Sequence, residues 1–340
     1  MASMPEIPIP GRTTEHKYGR EYGTFRRGQY LFPHDEKERD RLDVMHTMIK
    51  VARPMGMRYT HCPTNALSAR PGPLGQRPRV LDLGCGTGIW MIEMASSFPA
   101  AEFVGVDIHN MGPPTLLPNI GIRAPWDYEG PWALGEKSWD IIRLQMGLGS
   151  VSDWPGLYSK ILRHLTPGTG WFESIEIDFQ PRCDDNTLRP GKLTEWWDSY
   201  IKGTYEAMNR RLAYDPGTGD LLRVIGFKDI HHAVYRIPLN DAWPEDKAEK
   251  RAALWWHVAM SPGHATTGGY GLEAMSLAAL CGLNNWPVDH VKRLCNEALA
   301  QAADPNVHAY NNLHIWWARA GGEDEKGDGL ASGSGQSALS

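Results

Sequence analysis

Two spacings of apolar residues alternate along this chain, and they predict most of its elements. In "DEKERDRLDVMHTMIKVAR", Leu42, Met45, Ile49 and Ala52 recur at helical spacing and form one apolar stripe. Asp35 stands where an N-cap belongs, and Glu38 three residues on fits a capping box. Arg53-Pro54 ends the helix, because a residue before proline disfavours helical backbone. From Val80 the pattern becomes short apolar runs separated by helix-like pieces. "VLDLG" reads as a buried strand, Ile89 to Phe98 as a helix stopped by Pro99, and "EFVGVD" as a second strand. "WDIIRLQ" and "WFESIEIDF" are two more, with a helix within residues 155–165 between them. This alternation predicts an α/β fold with a doubly wound, mainly parallel sheet.

Beyond residue 188 the pattern turns helical in "LTEWWDSYIKGTYEAM", and again over 245–258 and 287–303. "KDIHHAVYRIPL" alternates like an edge strand, and "HAYNNLHIWWARA" reads as a closing strand. Residues 58–79 are a Pro/Gly-rich connector. Residues 1–20 read as a flexible N-terminus and 321–340 as a disordered tail, since neither carries enough apolar mass to offset the entropy of ordering. That leaves 21–320 as a single domain with an N-terminal helix and helical additions.

Composition narrows the function classes. The 340 residues are 41% hydrophobic and 22% charged, as in soluble globular proteins. A formal charge of -5 supplies no positive field for direct nucleic-acid binding, and the pair Arg26-Arg27 reads as a solvated turn. No apolar run approaches the ~20 residues of a membrane span, and the start has no apolar segment of signal-peptide length. Five scattered cysteines with no CxxC pair point away from a structural zinc site and toward a reducing compartment. No metal site is expected.

The chemistry begins at "RVLDLGCGTGIW". Gly84, Gly86 and Gly88 follow a strand in the spacing G-x-G-x-G. A dinucleotide fingerprint wants G-x-G-x-x-G, and Ile89 stands where its third glycine belongs. No Lys-Ser/Thr pair follows, which excludes a phosphate-binding P-loop. Asp82, inside the strand, would repel a pyrophosphate and attract a cationic amino group. Asp107, at the end of the second strand, is placed to accept hydrogen bonds from both hydroxyls of a ribose. A nucleoside with a cationic, phosphate-free arm fits these features, and S-adenosyl-L-methionine is such a molecule.

"VLDLGCGTG" followed by "VGVDI" resembles the class I S-adenosylmethionine-dependent methyltransferases. "FRRGQYLFPHDEKERDRLDVMHTM", "WALGEKSWDIIRLQMGLGSVSDWPGLY", "EIDFQPRCDD" and "HAYNNLHIWWARA" are similar to segments of the LaeA family of fungal methyltransferase-fold regulators of secondary metabolism. The similarity runs from about Tyr22 to Ala320. The N-terminal extension is shorter than in that family, the connector over 58–79 longer, and "SPGHATTGGYG" inserted. The resemblance implies a Rossmann-like, seven-stranded fold and an S-adenosylmethionine cofactor wrapped by Gly84, Cys85, Gly86 and Gly88. Asp107 and Ile108 would lie at the ribose. Asp127 would accept from the adenine amino group, unless it is a loop cap, with Trp126 or Tyr128 against the ring. Gln145 and Met146 would border the sulfonium, and Tyr30 would close over the cofactor. Velvet-domain partners and a nuclear location are also implied. The short N-terminus and the missing basic import cluster leave open a cytoplasmic, biosynthetic methyltransferase acting on a small fungal metabolite.

For catalysis, "WFESIEIDF" offers a carboxylate. Glu176 and Asp178 share one strand face and Glu173 takes the other. Glu176 is the candidate base; the alternative is a structural carboxylate bonded to backbone amides or Arg182. His231 and His232 point to opposite faces of a strand, His308 and His314 lack an acid at ligand spacing, and His164 reads as the outer face of a helix. Tryptophans come in adjacent pairs, 196-197, 255-256 and 316-317, so one ring of a helical pair can face the core and the other a pocket.

Overall fold

The computed structural model describes residues 14–57, 59–68, 76–208, 210, 212–261 and 271–322. A hairpin comes first: β1 (Thr14–Lys17) and β2 (Arg20–Gly23), turned by Tyr18 and Gly19, both at positive φ. Residues 14–20 are therefore ordered, which corrects the expected flexible N-terminus for that stretch; 1–13 lie outside the described residues, as do 323–340 of the expected tail and 262–270 of the inserted segment. The hairpin is fixed because Arg20 donates to both oxygens of Asp35, at 2.6 and 2.8 Å. Asp35 also accepts from the Glu38 amide and so caps α1 (Glu36–Ala52). The capping box is not closed: the Glu38 carboxylate turns instead to Arg41 in a buried bidentate pair.

Seven further strands form one sheet: β3 (Arg79–Leu83), β4 (Glu102–Val106), β5 (Ile120–Arg123), β6 (Ile141–Gln145), β7 (Trp171–Arg182), β8 (Phe227–Pro238) and β9 (Tyr310–Ala320). Their order is β5-β4-β3-β6-β7-β9-β8. The first five run parallel, and β9 lies antiparallel between β7 and β8. This is the mainly parallel, doubly wound sheet that the alternation predicted. β8 is an edge strand as expected, but β9 fills the gap beside β7 rather than closing the rim.

Helices cover both faces. α2 (Ile89–Ser97) packs below β3 and β4, while α3 (Trp154–His164) and α5 (Thr218–Ile225) cover the opposite face. α1 joins α4 (Lys192–Met208), α6 (Lys247–Met260), α7 (Gly271–Ser276) and α8 (Val288–Ala302) over β7 and β9, in the largest apolar cluster. Within that cluster Trp196 is buried and donates to Ser276, and Trp197 turns toward a cavity, as the adjacent pair predicted. His164, expected outside, is buried against Trp132 with its Nδ1 at the Lys160 carbonyl.

Candidate cofactor and acceptor site

The carboxyl ends of β3, β4 and β6 open into one cavity, where open α/β sheets bind ligands. The glycine turn forms its floor. Gly84, Gly86 and Gly88 take φ of 68°, 55° and 76°, a region in which other residues are strained. Gly84 and Gly86 line the cavity with Cys85, so their bare backbone admits a ligand where a Cβ would stand. Gly88 does not line it. It opens α2 from a left-handed conformation, and that backbone, rather than ligand contact, is why glycine is needed there.

Asp107 follows β4. Its Oδ2 accepts from the Gly86 amide at 2.8 Å and its Oδ1 from the His109 amide at 2.9 Å. Burial pushes the carboxyl up to about 6 despite those two bonds. Ile108 lines the cavity beside it. Tyr128 is partly buried and lines the cavity, with its ring against Gly84; Trp126 instead packs on Trp132 and does not line the cavity. Asp127 lines the cavity and takes the loop-cap alternative: Oδ1 caps the Glu129 amide at 2.8 Å, while Oδ2 pairs with Arg26 Nε at 3.1 Å. Arg26 lies in an exposed turn, as expected, and from there also lines the cavity.

Asp82 is also corrected. It lines the cavity, but a protein cation already meets it: Arg143 donates to Oδ1 at 3.0 Å. The register places Asp82, Arg143 and Glu173 side by side in one row across β3, β6 and β7. Glu173 accepts from the His61 amide at 2.7 Å and lies 3.5 Å from Arg53, so the connector and the end of α1 close a buried charge ladder. Arg143 stacks on Trp90, 4.3 Å from the ring centroid, and donates to Gln145. Sequence reasoning missed Arg143. Its signal was a lone cation in the middle of an apolar strand, which demands buried partners.

Gln145 ends β6, Met146 follows it, and both line two cavities at once. The second opens beyond them and is shared with Tyr30 and Leu42; Phe32, Phe179, Trp197 and Tyr200 supply aromatic walls and Met45 and Met275 thioethers. Tyr30 thus stands between the two, with its ring on Phe32 and His109. This apolar chamber adjoins the Gln145 end of the cofactor cavity.

Glu176 lies elsewhere. On the opposite face of β7 from Ile175 and Ile177, its oxygens accept from the Gly147 amide at 2.8 Å and the Leu148 amide at 3.1 Å. It lines neither the cofactor cavity nor the adjoining chamber. The candidate base is therefore a structural carboxylate that fixes the loop after Met146, and Arg182 pairs with Asp178 instead. His231 and His232 do take opposite faces, stacking on Trp317 and Trp316. His308, expected to lack an acid, bonds Asp185 at 2.6 Å, a partner brought close only by folding. Among the described residues no cluster of His, Cys, Asp and Glu could hold a metal, and no helix is long and apolar enough to cross a membrane.

The cavity fits S-adenosylmethionine. That molecule carries a sulfonium and an ammonium against a single carboxylate, and among the described residues the walls present Asp82, Asp107, Asp127 and Glu129, the last paired with Arg210 from outside, against Arg26 and Arg143. His46, also in the wall, adds no charge, because burial pushes its pKa down to about 4. A family model described as a methyltransferase domain matches residues 57–211. The secondary metabolism regulator LAE1 of Cochliobolus heterostrophus is 41% identical over 315 residues, which cover 92% of this chain and 97% of that protein. The chain belongs to the LaeA family. A second member, the protein-methionine methyltransferase laeA of Emericella nidulans, is 42% identical over 302 residues, 88% of this chain and 75% of that protein. The secondary metabolism regulator laeA of Monascus pilosus is 44% identical over the same length, covering 88% and 76%. Like the family, the chain is an S-adenosylmethionine-dependent methyltransferase. Asp107, Asp127, Tyr128, Gln145 and Met146, which the resemblance assigned to the cofactor, all line this cavity.

Proposed function

We propose that this LaeA-family methyltransferase methylates the thioether of a protein methionine. The observation that carries this reading is the acceptor chamber, which contains no base among the described residues. Its ionisable side chains are Tyr30, Arg41 and Tyr200. Burial raises the pKa of both tyrosines above the ordinary value, and Arg41 is held by Glu38, so all three keep their protons at neutral pH. An amine that arrives as ammonium, or a hydroxyl, must lose a proton to something. A thioether has none to lose.

The bound cofactor supplies an electrophilic methyl group on a sulfonium. The chain supplies position: Gln145 and Met146 border the reacting end, and Tyr30, Phe32 and Trp197 confine an acceptor sulfur to a line beyond it. The positive charge passes from one sulfur to the other, so no proton moves. The aromatic faces of the chamber favour that cation as it forms. The Emericella nidulans relative's description as a protein-methionine methyltransferase supports the same acceptor class. Nuclear action with velvet-domain partners is a further proposal that rests on family membership alone.

Methyl-labelled cofactor incubated with the purified chain and a host-cell extract tests this. Label recovered as S-methylmethionine in protein is the expected result. Label confined to a small metabolite would favour the biosynthetic alternative, and label on lysine or arginine would contradict the base-free reading.

A further inference from the structure

A second cavity lies on the Glu176 face of β7 and shares no lining residue with the cofactor cavity. It holds about 270 Å³. That exceeds the ~150 Å³ in which an apolar cavity accommodates benzene. Four aromatic side chains wall it: Trp154 and Tyr158 from α3, Tyr214 from the loop before α5, and Trp316 from β9. Trp154 and Tyr158 are tilted to each other with centroids 5.4 Å apart. Two carboxylates, Glu176 and Asp215, complete the wall, and among the described residues no lysine, arginine or histidine lines it.

The rings are braced from behind. His314 stacks on Tyr214 at 3.6 Å and His232 on Trp316 at 3.8 Å. The Trp316 indole N–H donates to the Tyr214 hydroxyl at 2.7 Å. Burial lowers the pKa of both imidazoles, that of His314 to about 4, so neither puts a positive charge behind its ring at neutral pH. Among the described residues Glu176 has the two backbone amides as partners, and burial pushes its carboxyl up to about 8. The carboxyl is therefore largely protonated at neutral pH; a cation in the cavity would favour its ionisation and would meet the electron-rich faces of the rings.

We propose that this cavity binds a methylated onium group, a quaternary ammonium or a methylsulfonium. Ring faces offer little to replace the hydrogen bonds that an N–H ammonium makes with water. A methyl-clad cation is weakly hydrated and presents apolar surface to the rings, while its charge favours the ionised form of Glu176. Two sources share this chemistry: a free choline-like molecule, and a methylated side chain on a polypeptide.

The experiment titrates the full chain in the presence of saturating S-adenosylhomocysteine, which keeps the cofactor cavity filled. The probes are choline, its neutral isostere 3,3-dimethylbutan-1-ol, and short peptides carrying trimethyllysine or S-methylmethionine. Choline is expected to bind at least tenfold more tightly than the isostere. Tyr214→Leu and Trp154→Leu should each weaken choline at least fivefold while S-adenosylhomocysteine affinity stays within about twofold. Peptides that bind more tightly than choline would identify a polypeptide source, and the reverse a free molecule. Equal binding of choline and its isostere, or no choline binding at millimolar concentration, would overturn the proposal, and both are read on the unaltered chain.

Discussion

Asp107 and Glu176 differ mainly in where they stand. Both are buried carboxyls near the carboxyl ends of parallel strands. Each accepts from two backbone amides, and burial raises both, to about 6 and about 8. Yet Asp107 opens onto the cofactor cavity, whereas Glu176 faces away from it on the other side of the sheet. A perturbed carboxyl therefore does not mark the chemistry of this protein by itself; the cavity it faces does. Asp82 and Glu173 sharpen the contrast. They are as deeply buried, but the row across the sheet gives them Arg143, with Arg53 beside Glu173.

The largest expected effect removes that shared cation. Arg143→Leu leaves Asp82 and Glu173 without their common partner, which should lower folding stability by about 3–5 kcal/mol. Urea denaturation measures it, and a loss below ~1 kcal/mol would mean that the ladder does not depend on its central member. Next comes Asp107→Ala, which should weaken the cofactor by roughly 1–3 kcal/mol, the size of lost charge-assisted hydrogen bonds. Unchanged affinity in calorimetry would erase the distinction between the two carboxyls. The smallest effect is at Glu176. Glu176→Gln should leave cofactor affinity and methyl transfer within about threefold, because no general base is being removed. A hundredfold fall in transfer with normal cofactor binding would restore Glu176 as the base.

Glu176 should instead register in stability. Its folded pKa of about 8 lies above the ordinary 4.5, so the folded state holds the extra proton between those values. Stability must then fall as pH rises from 4.5 to 8, and Glu176→Gln should flatten that slope. Thermal midpoints of both proteins across this range test the sign; a slope that rises with pH in the unaltered chain and vanishes in the variant would contradict it.

The cofactor half of the molecule was legible because its signals are local. The G-x-G-x-G turn, the strand before it and Asp107 after β4 fall within 30 residues, and each has a fixed backbone reason. What the sequence hid depends on contacts between distant residues. Arg143 meets Asp82 across the register of two strands 61 positions apart, and Arg26 reaches Asp127 across about a hundred. Glu176 was placed correctly on its strand face. Which cavity that face borders follows from how α3, α5 and β9 pack there, and no short window of sequence carries that information. The hairpin at residues 14–23 was missed because its order comes from Arg20 on Asp35, not from apolar mass.

The most direct measurement is a calorimetric titration of S-adenosylmethionine into the unaltered chain and into Asp107→Asn between pH 5 and pH 8. Above its free-state value of about 6, Asp107 is ionised and ready to accept from the ribose. The cationic cofactor and those hydrogen bonds lower that pKa on binding, so affinity should be level above pH 6 and fall, by up to about tenfold per unit, as pH drops below it. The Asn variant should bind weakly and without that fall. Absence of S-adenosylmethionine binding, or a variant that matches the unaltered chain at every pH, would contradict the account.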